Sequence, residues 1–108
     1  MAKVYISGQI TGLNFDEAFK NFEDAEKEVK ELGGVPVNPM KLDHKANADW
    51  YDFMEKDIAA LLRCDGIYML KNWGESKGAR VEYVLAKELG LNVVFQKEFV
   101  ITSFNGYI

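Results

Sequence analysis

Two rhythms of apolar residues alternate along this chain. Short runs rich in β-branched and aromatic residues, such as Lys3-Val4-Tyr5-Ile6-Ser7, read as strands. Between them lie stretches where apolar residues recur every three or four positions, the spacing of a helix with one buried face. Phe15, Ala18, Phe19, Phe22, Ala25, Val29 and Leu32 form the first such stripe, with Thr11 or Asn14 as its cap and Gly33-Gly34 as its stop. Val35-Pro36-Val37-Asn38-Pro39 is a second short strand. Pro36 has no N–H for a ladder, so this strand is expected at an edge. A polar loop from Met40 to Ala48 leads to Asp49, a natural N-cap for a helix from Trp50 to about Arg63. Gly66 to Leu70 is a third strand, a helix runs from about Gly78 to Leu89, and Asn92-Val93-Val94-Phe95 is a fourth strand. An apolar, aromatic tail runs from Phe99 to Ile108.

Strands alternating with helices predict an α/β fold, a parallel sheet covered on both faces. Right-handed crossovers and the edge position of Pro36 favour a doubly wound, flavodoxin-like or Rossmann-like three-layer sandwich. The expected strand order is 2-1-3-4, with the tail as a candidate fifth strand. A chain of 108 residues without linkers or repeats is expected to form one domain, spanning residues 1–108. In such a sheet ligands bind beyond the carboxyl ends of the strands, where strands 1 and 3 diverge. The loop Ser7 to Gly12, the loop Leu70 to Lys77 and the start of the third helix meet there.

Composition narrows the function. The net charge of -4, with acids and bases interspersed, argues against a grip on nucleic-acid polymers. No apolar run approaches the roughly 20 residues of a membrane span. Met1 leads straight into a strand, so no signal peptide is expected, and the single cysteine, Cys64, fits a reducing cytoplasm. Cys64 itself reads as a small core residue. His44 has no second His or Cys at ligand spacing, so no metal is expected. No Walker loop or complete G-x-G-x-x-G is present, and the first loop lacks the hydroxyls and glycines that wrap an FMN phosphate, so no cofactor is expected.

The candidate chemistry lies in two acids placed where apolar residues belong. Glu82 aligns with Gly78, Leu85, Ala86 and Leu89 on the sheet-facing side of its helix. Asp57 falls between Phe53 and Leu61 at spacing four. A buried carboxylate needs a partner or a task. Asp65, beside Gly66, reads as a turn or capping residue instead. Tyr5, near the end of the first strand, is in position to hold a carboxylate from the third helix. Ser76 and the amides around Gly78 form a candidate anion cradle, which is also ordinary N-cap geometry. Trp50 and Trp73 read first as packing residues and second as candidates to stack on a base, with Trp73 the stronger of the two candidates because it lies in the site loop.

Together, Val4-Tyr5-Ile6-Ser7-Gly8 with Ile10, Asp57 eight residues before Asp65, and Ser76-x-Gly78-x-x-x-Glu82 resemble the nucleoside 2-deoxyribosyltransferase-like superfamily. That group includes the 2'-deoxynucleoside 5'-monophosphate N-hydrolases and small phage and bacterial proteins of unknown function. The resemblance runs from Val4 to about Phe95, and Cys64-Asp65-Gly66-Ile67-Tyr68-Met69-Leu70 with Trp73 look most like the uncharacterised branch. It implies that Glu82 attacks the anomeric carbon of deoxyribose, that Tyr5 orients Glu82, and that Asp57 assists departure of the base as an acid. It implies substrate contacts at Ser7, Gly8, Ile10, Trp73, Ser76 and Gly78. The serine at position 76 resembles the phosphate-contacting serine of the hydrolases. Where those enzymes carry an Arg in the loop after the first strand, this chain has Thr11, leaving Lys71, Lys77 and Arg80 as cations to meet a phosphate. The resemblance further implies that a neighbouring subunit completes the site, with Thr102, Ser103 and Asn105 as candidate donors. The apolar tail residues Phe99, Val100, Ile101, Phe104, Tyr107 and Ile108 likewise lead us to expect a homodimer or larger homo-oligomer.

The expected substrate is a small-molecule nucleoside or nucleotide, with hydrolysis and transfer both open. The competing expectation is a binding module that holds a nucleotide-derived ligand without turning it over.

Overall fold

The computed structural model describes residues 1–97. Strands β1 (Lys3–Ser7), β2 (Val35–Val37), β3 (Gly66–Met69) and β4 (Asn92–Phe95) alternate with helices α1 (Phe15–Glu31), α2 (Trp50–Leu61) and α3 (Lys77–Glu88). The strands pair in parallel in the order β2-β1-β3-β4, as the sequence predicts. The candidate fifth strand and the tail residues expected to contact a second subunit lie outside the described residues.

Alternation along each strand divides the core into two layers. Ile6, Tyr68 and Leu70 turn to Phe22, Ala25 and Val29 of α1. Tyr5, Ile67 and Met69 turn the other way, to Leu61 of α2 and to Ala79 and Ala86 of α3. Every residue of β3 is buried, which is why its sequence reads as a continuous apolar run.

Local chemistry sets the element ends. The Asn14 side chain accepts from the amides of Asp16 and Glu17 at 2.9 and 3.2 Å and opens α1. Gly33, at φ +90°, lets the chain reverse, so that Gly34 N donates to Val29 O at 3.0 Å. Asp49 and Asp52 cap α2 reciprocally, each backbone N–H donating to the other's carboxylate. Asp65 anchors the start of β3 by accepting from Lys3 N at 2.9 Å.

Several expected boundaries and core positions shift. β2 ends at Val37 because the Asn38 side chain caps a short 3-10 turn over Pro39–Lys41. Helix α2 stops at Leu61 and strand β3 at Met69, and α3 begins one residue early at Lys77 because Ser76 caps it. Phe15 and Leu32 were expected in the core stripe of α1 but are 67% and 66% exposed. They sit at the helix's first turn and at its C-cap, beyond the stretch that overlies the sheet. Leu89, at the C-cap of α3, is likewise 47% exposed.

This division predicts opposite costs at the two kinds of position. Phe22→Ala removes a fully buried ring and is expected to destabilise by about 3–5 kcal/mol in denaturant unfolding. Leu32→Ala is expected to stay within about 0.5 kcal/mol of the parent protein.

Candidate functional site

Tyr5 and Ser7 are two residues apart on β1, so their side chains leave the same face of the sheet. That face is covered by α3, and both hydroxyls reach one carboxylate. Tyr5 OH donates to Glu82 Oε2 at 2.9 Å, and Ser7 Oγ donates to Glu82 Oε1 at 2.7 Å. Glu82 is only 4% exposed. Burial pushes its carboxyl up to about 7, reinforced by the charge of Asp57, while the bonds from Ser7 and Tyr5 pull the other way. The Tyr5 phenol is held well above its usual range by burial and by the charges of Glu82 and Asp57.

Asp57 projects from α2 into the same cavity and is 8% exposed. Burial pushes its carboxyl up to about 7 as well. Among the described residues its buried Oδ1 has no hydrogen-bond partner. The two acids line one partly open hollow of about 130 Å³. Ile10, Phe22, Trp50, Phe53 and Met54 give it apolar walls, and Ser76, Gly78 and Ala79 bring the N-terminus of α3 to it.

Gly8 and Gly78 hold the cavity's shape. Leu70 N donates to Ser7 O at 2.8 Å, drawing the two strand ends together. A Cβ on Gly8 would lie 2.5 Å from Leu70 Cδ1 and 2.8 Å from Leu70 Cβ, so no side chain fits there. A Cβ on Gly78 would come to 3.0 Å from Met54 Sδ, tightening the contact between α2 and α3.

Of the nine site residues named from the sequence, seven line this cavity: Tyr5, Gly8, Ile10, Asp57, Ser76, Gly78 and Glu82. Ser7 stands behind them, its hydroxyl committed to Glu82. Ser76 lines the cavity while its Oγ accepts from Ala79 N at 3.1 Å. Trp73 is the exception and does not line this cavity. Its ring packs on Tyr83 at 4.8 Å and Phe95 at 6.1 Å, in an aromatic cluster outside the cavity lining. Trp50, ranked below it from sequence, is the tryptophan in the wall.

The three candidate cations also separate. Lys77 Nζ lies 4.1 Å from the centre of the Trp50 ring, at the cavity wall. Arg80 donates to Gly74 O at 2.8 Å, and Lys71 lines a different cleft beside α1. Glu82 forms no ion pair with Lys77 or Arg80 among the described contacts.

Sequence reasoning missed His44 as a neighbour of the site. Its Nε2 lies 3.1 Å from Pro39 O and 3.8 Å from Asp57 Oδ1, and its ring sits 4.5 Å from that of Phe53. The loop that carries it folds back over α2, a contact that leaves no periodic trace in the sequence.

Two neighbouring acids that keep their protons to about pH 7 carry a stability consequence. Both folded-state values lie above the ordinary carboxyl range, so the folded protein binds more protons than the unfolded chain between about pH 4.5 and 7. This contribution is complete below that window and is lost as pH rises through it. We expect the melting temperature to fall from pH 5 to pH 8. Glu82→Gln, which mimics the neutral acid, should melt above the parent protein at pH 8 and no higher than it at pH 5.

The family model described as "Domain of unknown function (DUF4406)" matches residues 2–95, and the chain belongs to that family. No curated protein matches the sequence. Among solved structures, the CMP N-glycosidase BcmB of Clostridium botulinum is similar in fold, with a TM-score of 0.58 and 19% identity. The match covers 98% of this chain and 86% of that one.

Proposed function

We propose that this DUF4406 chain cleaves or transfers the N-glycosidic bond of 2'-deoxynucleosides or their 5'-monophosphates. The observation that carries this reading is the pair of inward-turned acids, Glu82 and Asp57, lining one hollow with Tyr5 and Ser7 fixing the first. The fold shared with a CMP N-glycosidase supports it, as does the resemblance to the nucleoside 2-deoxyribosyltransferase-like superfamily.

Breaking the glycosidic bond builds positive charge on the sugar. The ionised Glu82 stabilises that charge and bonds to the anomeric carbon as the electron pair of the C1'–N bond leaves with the base. Asp57, in its acid form, gives its proton to the departing base. Tyr5 and Ser7 each donate to a different oxygen of Glu82 and hold its carboxylate in one orientation. Water then attacks the glycosyl ester and returns a proton to Asp57, or a second base takes the sugar. The working enzyme holds one proton on the pair. Because both acids are pushed up to about 7, that singly protonated state is most populated near neutrality.

The direct test is release of free base from deoxynucleosides and their monophosphates. CMP belongs in the panel because the similar fold is named for it. We expect turnover with a bell-shaped pH dependence of kcat/KM centred near pH 7. Glu82→Ala should lower kcat by about 10³-fold or more, and Asp57→Asn by about 10²–10⁴-fold. Tight binding of a nucleotide with no base released over hours would replace the enzyme reading with the ligand-binding one.

Lys77, held on Trp50 at the wall, is the cation placed to meet a 5'-phosphate in the absence of an arginine at position 11. Lys77→Ala should raise KM for monophosphates about tenfold and leave KM for the corresponding nucleosides within about twofold, measured in parallel.

A further inference from the structure

His44 stands between two hollows. The groups around it, Pro39, Phe53 and Asp57, all line the inner cavity that holds Glu82. His44 itself belongs to the lining of a second, outer cleft, with Asp52 and Lys56 of α2. The ring is therefore a partition, with a buried acid on one side and an open polar cleft on the other. Its side chain is 15% exposed and that of Asp57 is 12% exposed.

The partition is built with a defined hydrogen. A carbonyl oxygen only accepts, so the 3.1 Å contact to Pro39 O requires that Nε2 carry a proton. That same Nε2 lies 3.8 Å from Asp57 Oδ1, the buried oxygen left without a partner among the described residues. Movement of under about 1 Å brings the pair into hydrogen-bonding range.

We propose that His44 is a positioning residue for Asp57, holding its unpartnered oxygen and linking its protonation to the outer cleft. The proposal rests on the reading of Asp57 as the acid of a glycosidic reaction. In the linking step, the ring's outer nitrogen takes a proton from hydronium in the cleft and Nε2–H passes its proton to the Asp57 carboxylate, which becomes the acid; a water molecule is left in the cleft and the ring ends neutral, with its hydrogen on the outer nitrogen. The Pro39 carbonyl favours return of a proton to Nε2 and so resets the ring. The glycosidic step balances without this exchange, because the proton given to the base is replaced by one from the attacking water. His44 thus sets how fully Asp57 is loaded at a given pH.

The groups facing this pair are Asp43 and Lys45 on the loop of His44, Asp52, Glu55 and Lys56 on α2, and Glu82 of α3 beyond Asp57. The charges around the outer cleft are mixed in sign and remain in every variant tested. The Nε2–H of His44 is the polar hydrogen beside the unpartnered oxygen of Asp57 and favours its ionised form, so without it Asp57 should keep its proton to higher pH.

The test compares the parent protein with His44→Gln, whose amide can still donate to Pro39 O and preserve the packing. Carbon-13 NMR of the Asp57 side-chain carboxyl should show its titration midpoint moving up by about half a pH unit or more in the variant. Asp57→Asn assigns the resonance by its disappearance. In base-release assays the alkaline limb of the kcat profile should move up with it, while KM at the optimum stays within about twofold. A purely structural role would lower kcat at every pH without displacing the limb. An unmoved Asp57 midpoint in a folded variant overturns the proposal, and so does an unmoved alkaline limb. If no substrate is turned over, the catalytic reading fails by itself, and the NMR midpoint alone decides whether His44 and Asp57 are linked.

Discussion

The structure depends on one buried carboxylate being satisfied by two hydroxyls of the same strand. An unpartnered acid in the apolar layer between β1 and α3 would cost several kcal/mol. Tyr5 and Ser7 offset part of that cost, because a two-residue step along β1 delivers both donors to one face. The arrangement requires the end of β1 to lie close against the residue that follows β3. Gly8 permits that approach, because Leu70 occupies the space a side chain would need. It also requires α3 to start close to the end of β3, which the cap from Ser76 to Ala79 provides. The site therefore follows from sheet register and helix start, two properties of the backbone.

The second acid is held differently. Glu82 has a donor for each oxygen, whereas Asp57 keeps one oxygen without any among the described residues. Burial raises both, yet the environments are unequal in kind. A group fully bonded in its ionised form is suited to stay put and bear charge. A group with an idle oxygen is suited to exchange a proton. Different roles for two carboxyl groups of similar acidity thus have a visible origin in their partners.

Much of this was legible in the sequence because it rests on periodicity. Glu82 and Asp57 stood out as charges on apolar stripes, and Tyr5 as a hydroxyl at the end of the first strand. Strand order followed from alternation of elements and from Pro36 at a rim. What escaped was of another kind. Phe15, Leu32 and Leu89 obey the helical period but lie past the ends of the covered sheet, which a period cannot reveal. Trp73 shares a loop with site residues, but a loop has two sides, and its ring went to Tyr83 and Phe95. His44 reaches Asp57 only because the loop before α2 folds back, a contact between segments with no common rhythm.

The rim formed by β2 has a consequence for association. Val35 N donates inward to Ala2 O at 2.8 Å, so the next residue, Pro36, turns its nitrogen away from the sheet. The missing N–H therefore costs no internal bond and is absent where an incoming strand would look for a donor. A foreign chain laid along this border finds an interrupted ladder, which protects the sheet from growing in that direction by backbone pairing.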